Sequence, residues 1–222
     1  MKQLMITSLI ALALGSVNTA SAFGLGDLAG AVGSAKANAA ATPSVTAGDL
    51  DSFINAAKEA DALISSSADS LFKNTQPKAD VATHNQKVLA ANNLTDPAKR
   101  EEMLKQLAAE QMAKLAKVDW DKQARETPKL ITPEQKQELN TAIYNFTLGT
   151  LKDKELLTQS KSLVAAVRTN PMLLARAGEL TDVSTSLSNQ LTTASTIATG
   201  MPKMASAVGL GALPSSASAA KK

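Results

Sequence analysis

The chain has 222 residues, of which 44% are hydrophobic and 3% aromatic, with 23 basic and 20 acidic side chains. The formal net charge of +3 is small, and Lys alternates with Glu in stretches such as KREEMLKQ (99–106), which is typical of a solvated helix face and argues against nucleic-acid binding. There is no cysteine, which excludes disulfides, thiolate metal sites and a lipid-modified cysteine.

The first segment, MKQLMITSLIALALGSVNTASA (1–22), has the parts of a secretory signal peptide. Lys2 supplies the positive start, residues 4–14 form a short, mainly apolar run, and Ala20-Ser21-Ala22 is a small-residue cleavage site. The apolar run is shorter than the ~20 helical residues that a membrane span needs. We therefore predict cleavage after Ala22 and export to the periplasm or the extracellular medium, between which the sequence does not choose.

Residues 23–46 are Gly, Ala and small polar residues, too poor in large apolar groups to offset the entropy of ordering, and they predict a flexible low-complexity segment. From Ala47 to Phe72 apolar residues recur every three or four positions, which predicts an amphipathic helix. A break at 74–77 precedes a shorter predicted helix that ends at the Asn92-Asn93 turn.

Asp96-Pro97 has the pattern of an N-cap followed by proline in the first helical turn, and it predicts the start of a third helix. Residues 119–130 carry little periodicity and contain Thr127-Pro128, so we predict a loop there. The stretch TPEQ (132–135) predicts a helix with a capping box, running to about residue 168.

Gly149, Thr150 and Asp153 interrupt the apolar stripe of that long helix, which predicts a kink. A last helix is expected from Asp182 to about Thr199, ended by Gly200 and Pro202. The sequence thus predicts an all-α fold: an antiparallel bundle of about four to six helices over 47–200, with Ala/Gly/Ser-rich flexible tails, the C-terminal one over 201–222.

Catalytic chemistry has few candidate residues in this chain. His84 is the only histidine, and it lies in a weakly patterned helix, so we interpret it as a surface or half-buried residue with no catalytic role. The carboxylate pairs Glu101/Glu102, Asp119/Asp121 and Asp153/Glu155 have basic neighbours and are interpreted as solvated charge. We predict no enzyme activity, no cofactor and no metal site.

The most distinctive segment is TDVSTSLSNQLTTASTIATG (181–200), whose polar face consists of Ser, Thr, Asn and Gln. Ser and Thr are mediocre helix formers, so their abundance on the polar face of a predicted helix needs an explanation. The helix packs within the bundle or against a partner, or it is an amphipathic helix that inserts into a membrane surface. The candidate contact surface comprises Val183, Leu187, Leu191, Ile197 and Trp120, although Trp120 also suits a ring packed over the end of the bundle.

These observations favour an exported, non-catalytic helical protein of a bacterial cell envelope or secreted fraction that binds or scaffolds another protein or an envelope component. The alternative is a peripheral membrane-active protein that inserts its Ser/Thr-rich C-terminal helix, and an enzyme is the third possibility. The sequence does not indicate the oligomeric state.

Overall fold

The computed structural model describes residues 45–215, and within that range the chain forms six α-helices and no β-strand. The predicted all-α bundle is confirmed. The predicted signal peptide and all but the last two residues of the 23–46 segment lie outside the described residues. The helices are α1 (Ala47–Thr75), α2 (Lys78–Asn92), α3 (Pro97–Ala116), α4 (Trp120–Glu126), α5 (Pro133–Thr169) and α6 (Ala177–Ala207), with short 3-10 turns at Thr127–Lys129 and Leu174–Arg176.

Local capping determines where α1, α3 and α5 begin. At α5 the backbone N–H of Thr132 donates to Gln135 Oε1 at 2.9 Å, and the N–H of Gln135 donates to Thr132 Oγ1 at 3.3 Å. This is the predicted capping box, which satisfies backbone donors that the first turn leaves free. Asp96 caps α3 as predicted, and Thr46 forms a second capping box with Asp49 at α1.

Replacement of Thr132 with alanine is expected to lower the free energy of unfolding by about 1 kcal/mol, because the cap hydrogen bond is lost. Thr141→Ala is the matched control, since Thr141 is exposed in the interior of the same helix and caps nothing. Urea titration of both variants measures the difference. Equal stabilities would contradict the assignment of the cap.

The three long helices α1, α5 and α6 form the body of the bundle, and α5 runs antiparallel to the other two. Asn170, after the end of α5, donates to the carbonyl of Val45 before α1, whereas Ser70 late in α1 donates to Glu138 early in α5. The 37 residues of α5 give it a length of about 55 Å. Helices α2 and α3 form a hairpin, and α3 lies against α1 and α6.

Two hydrophobic cores lie one after the other along the bundle. The first, which we call the α4-end core, contains residues of α3 and α4 as well as of the three long helices. The second, which we call the hinge-end core, lies towards the turn between α5 and α6. The α4-end core is built around Ile64, Leu71, Phe72, Leu115, Trp120, Leu139, Ile143, Phe146, Ala194, Ile197, Met201 and Met204, and the hinge-end core around Leu50, Phe53, Ala57, Ala60, Leu156, Leu163, Val167, Leu180 and Leu187.

The last helix is longer than predicted at both ends. It begins at Ala177, and it continues through Gly200 and Pro202 to Ala207, so the predicted boundary between bundle and flexible tail at residue 200 falls too early. Met201 and Met204 are fully buried while Pro202 is exposed. Burial of two such side chains contributes about 3–6 kcal/mol, which offsets the ~3 kcal/mol that a proline costs inside a helix.

The segment 119–130 is also helical for most of its length and not the predicted loop. Asp119 accepts a hydrogen bond from the N–H of Lys122 at 2.9 Å and so caps α4. Trp120 then enters the α4-end core, which holds this short helix in place. Burial of one large ring therefore orders a segment that has no periodic pattern.

The long helix α5 is helical throughout, and Gly149, Thr150 and Asp153 lie on its buried face. They do not interrupt the packing stripe; they continue it with small or polar residues. A β-carbon built on Gly149 would lie 2.7 Å from Ile64 Cγ1 and 3.1 Å from the carbonyl oxygen of Ala60. The glycine therefore lets α1 and α5 approach closely at the level where the two cores meet.

Candidate functional site

No group of three or more His, Asp or Glu side chains in residues 45–215 could hold a metal ion. None of the helices in this range is both long and apolar enough to cross a membrane.

His84 lies on α2, half-buried between α2, α3 and the end of α1. Its ring centroid is 5.1 Å from that of Phe72, and Lys114 lies 5.8 Å above the Phe72 ring. Burial lowers the pKa of His84 below its ordinary value, because it disfavours the charged form, although Asp69 acts in the opposite direction. A neutral ring that packs at a tilt against a core phenylalanine fits a packing role that joins the hairpin to the bundle.

The carboxylates that the sequence offers as pairs meet different partners and surroundings in the fold. Glu101 pairs with Lys105 at 2.7 Å, which keeps the pKa of this carboxyl below its ordinary value. Asp119 caps α4, and Asp121 pairs with Lys203 of α6. The interpretation as solvated charge fits these residues, but it is wrong for Asp153, which is completely buried.

The uncharged polar face of α6 borders a groove between α1, α3 and α6, which we call the α6 groove. Its volume is about 430 Å³. Small side chains of α3 form one wall, and hydroxyl and amide side chains of α6 form the other. The lining comprises Asp61, Ile64, Ser65 and Ala68 of α1, Lys105, Ala108, Ala109, Gln111, Met112 and Ala113 of α3, and Ser186, Asn189, Gln190 and Thr193 of α6.

The apolar residues of α6 that the sequence offered as a contact surface face the other way. Leu187 and Ile197 are 3% and 0% exposed and belong to the two cores. Val183 and Leu191 are half-buried. The core covers three residues of the predicted contact surface, Leu187, Ile197 and Trp120, so they do not form a contact surface in the folded chain. The side of α6 that a partner could reach is its polar side.

Gly200 leaves the space that allows Trp120 to lie directly against α6. A β-carbon built on Gly200 would lie 2.2 Å from Trp120 Cδ1 and 2.3 Å from Cγ, so the ring rests directly on the backbone of α6. The indole N–H is buried and has no hydrogen-bond partner among the described residues. Of the two interpretations of Trp120, the ring packed over the end of the bundle is the one that this geometry supports.

A second groove of about 420 Å³ lies between α1 and the first half of α5. Its lining includes three serines of α1, Ser66, Ser67 and Ser70, and Glu134 and Glu138 of α5. Ser70 Oγ donates to Glu138 Oε1 at 3.0 Å. Its polar groups are thus partly paired with one another, and its two carboxylates lie next to solvent. The α6 groove, with an apolar floor beneath its polar rim, is the better candidate for a binding site.

The remaining unusual side chain is Asp153 on α5. It is 0% exposed, and neither of its carboxyl oxygens has a hydrogen-bond partner among the described residues. Burial raises the pKa of Asp153 to about 7, and the carboxylate of Asp61 on α1 adds to the rise. No sequence pattern indicates this burial, since Lys152 and Lys154 on either side of Asp153 are typical neighbours of a surface aspartate.

Comparison of the chain with known protein families, with curated proteins and with solved structures gave no match.

Proposed function

We propose that the chain is an exported, non-catalytic binding or scaffolding protein of the bacterial cell envelope or secreted fraction, and that the α6 groove is its contact site. The observation that carries the proposal is the lining of this groove. Residues 183–202 of α6 contain no charged side chain, and Ser186, Asn189, Gln190 and Thr193 present hydroxyl and amide groups beside the alanines of α3.

Such a surface suits a macromolecular partner on energetic grounds. Burial of an unpaired charge costs far more than burial of a hydroxyl or amide that finds a hydrogen-bond partner. Ala108 and Ala109 are exposed and small, so a partner's backbone can come close to α3. The mediocre helix propensity of the α6 polar face is then explained by contact with a partner, which an ordinary Lys/Glu face would hinder.

The test is hydrogen exchange of the mature chain, alone and with cell-envelope extract of its host. We expect the extract to protect amides in 61–68, 105–113 and 186–193, the segments that line the α6 groove. Ala109→Trp places a large ring in the groove and is expected to abolish this protection. Ala98→Trp is the matched control, because Ala98 is exposed on the same helix but lies outside the groove.

Two outcomes would contradict the proposal. One is the absence of any protection in the three groove segments when the extract is added. The other is protection that survives Ala109→Trp unchanged, which would place the contact elsewhere on the molecule.

Membrane insertion of α6 is the competing function, and the packing of this helix in the bundle disfavours it. Its bulky apolar residues, including Leu180, Leu187 and Ile197, are buried against α1 and α5. Insertion would have to remove α6 from both cores and expose their apolar surface to water. A partner at the polar face requires no such rearrangement.

A further inference from the structure

Asp153 lies at the level where the two cores of the bundle meet, which we call the seam. On α5 it is between Phe146 of the α4-end core and Leu156 of the hinge-end core. The corresponding level on α1 lies between Ala60 and Ile64, and on α6 it lies between Leu187 and Ala194. A carboxyl group therefore lies buried at the junction of two hydrophobic cores.

None of the helices around the seam supplies a cation to this carboxyl group. From α1 the nearby charge is Asp61, a second carboxylate, whose Oδ1 accepts a hydrogen bond from Gln190 at 2.8 Å. From α6, residues 183–202 contain no charged side chain at all. On α5 itself the residues three and four positions away are Gly149, Thr150, Leu156 and Leu157.

The one cation of α3 that lines the α6 groove is already engaged. Lys105 lines the α6 groove with Asp61 but forms an ion pair with Glu101 at 2.7 Å. One turn before Asp153, the close contact of Gly149 with Ile64 and Ala60 leaves no space even for a β-carbon. An ionised Asp153 could therefore gain neither a counter-ion nor a hydration shell unless the helices move apart.

We propose that Asp153 makes the seam a pH-dependent switch: α1, α5 and α6 pack closely while this carboxyl is protonated, and its ionisation loosens them at the seam. A buried carboxyl without partners is tolerated in its neutral form and strongly disfavoured in its charged form. The switch acts close to neutral pH, and it does not depend on whether the α6 groove binds a partner.

The test is a pH titration of the full mature chain by NMR, with native-state hydrogen exchange corrected for the intrinsic rates. We expect the Asp153 carboxyl carbon to titrate near neutral pH, far above an ordinary aspartate. Between about pH 5 and about pH 8, protection of amides in 57–64, 149–156 and 187–194 should fall at least about tenfold.

Three variants make the test specific to Asp153. In Asp153→Asn the protection of the seam should no longer depend on pH. Asp182→Asn, which changes an exposed aspartate of α6, should keep the wild-type fall. Asp61→Asn should move the midpoint to lower pH, because it removes a like charge and its amide oxygen can still accept the hydrogen bond from Gln190.

The proposal is overturned if the Asp153 carboxyl titrates below about pH 5, in the range of ordinary aspartates. It is equally overturned if Asp153→Asn and the wild-type chain lose seam protection in parallel as the pH rises.

Discussion

The free energy of unfolding is expected to fall by about 4 kcal/mol through Asp153 as the pH rises from about 3 to about 8. In the unfolded chain this carboxyl loses its proton near its ordinary pKa of 3.8, whereas in the fold it does so at a pKa of about 7. Between these values the folded chain holds a proton that the unfolded chain has lost. A rise in pH through this window therefore favours unfolding, and above it the effect is complete.

The quantity to measure is the difference in the free energy of unfolding between the wild-type chain and Asp153→Asn, by urea titration at several pH values. The contributions of other groups that titrate in this range cancel in this difference. One of these groups is His84, whose lowered pKa makes unfolding more favourable as the pH falls. The wild-type chain should lose stability relative to Asp153→Asn up to about pH 8, one unit above the pKa of Asp153, and the difference should be constant above that pH. A difference that does not vary with pH would contradict the burial of Asp153.

The substitution Gly200→Ala is expected to destabilise the chain by about 2–3 kcal/mol, because the new methyl group collides with the Trp120 ring. Alanine is normally better than glycine inside a helix by about 1 kcal/mol, so the sign of the effect is itself diagnostic. Trp120 is the single tryptophan of the chain, and its fluorescence should shift to longer wavelength as the ring is displaced into contact with water.

Gly178→Ala provides the matched control on the same helix. A β-carbon at Gly178 has no atom within 4 Å, so this substitution should be neutral or slightly stabilising and should leave the emission of Trp120 unchanged. If both glycine variants behave alike, the direct contact between Trp120 and the backbone of α6 is not present in solution.

Features that depend on neighbours in sequence could be predicted from the sequence. The caps at Asp96 and Thr132 act within three residues, so their pattern is sufficient to place the starts of α3 and α5. The apolar stripe of α1 is likewise a local periodicity, and its residues are the ones that the fold buries. The all-α class follows from such patterns alone.

Features that depend on distant partners could not be predicted in this way. The continuation of α6 past Pro202 rests on the burial of Met201 and Met204 in a core supplied by other helices. The burial of Asp153 rests on its place between α1 and α6, and the lysines beside it in sequence suggest the opposite. The α6 groove likewise exists only because α3 lies across α1 and α6.

A disulfide between α5 and α6 tests the proposed arrangement, in which the polar face of α6 meets a partner while its apolar face stays in the bundle. The hydroxyls of Ser160 on α5 and Ser184 on α6 are 2.9 Å apart, and the chain has no cysteine of its own. The double variant Ser160→Cys/Ser184→Cys would therefore lock α6 onto α5 when oxidised.

The oxidised and reduced forms are compared for protection of the α6 groove by envelope extract and for co-sedimentation with small phosphatidylethanolamine/phosphatidylglycerol vesicles. We expect the locked form to show the same protection of 186–193 as the reduced form, and neither form to pellet with vesicles. Loss of protection on locking, or vesicle binding that appears only after reduction, would contradict the claim and would show that α6 must leave the bundle to function.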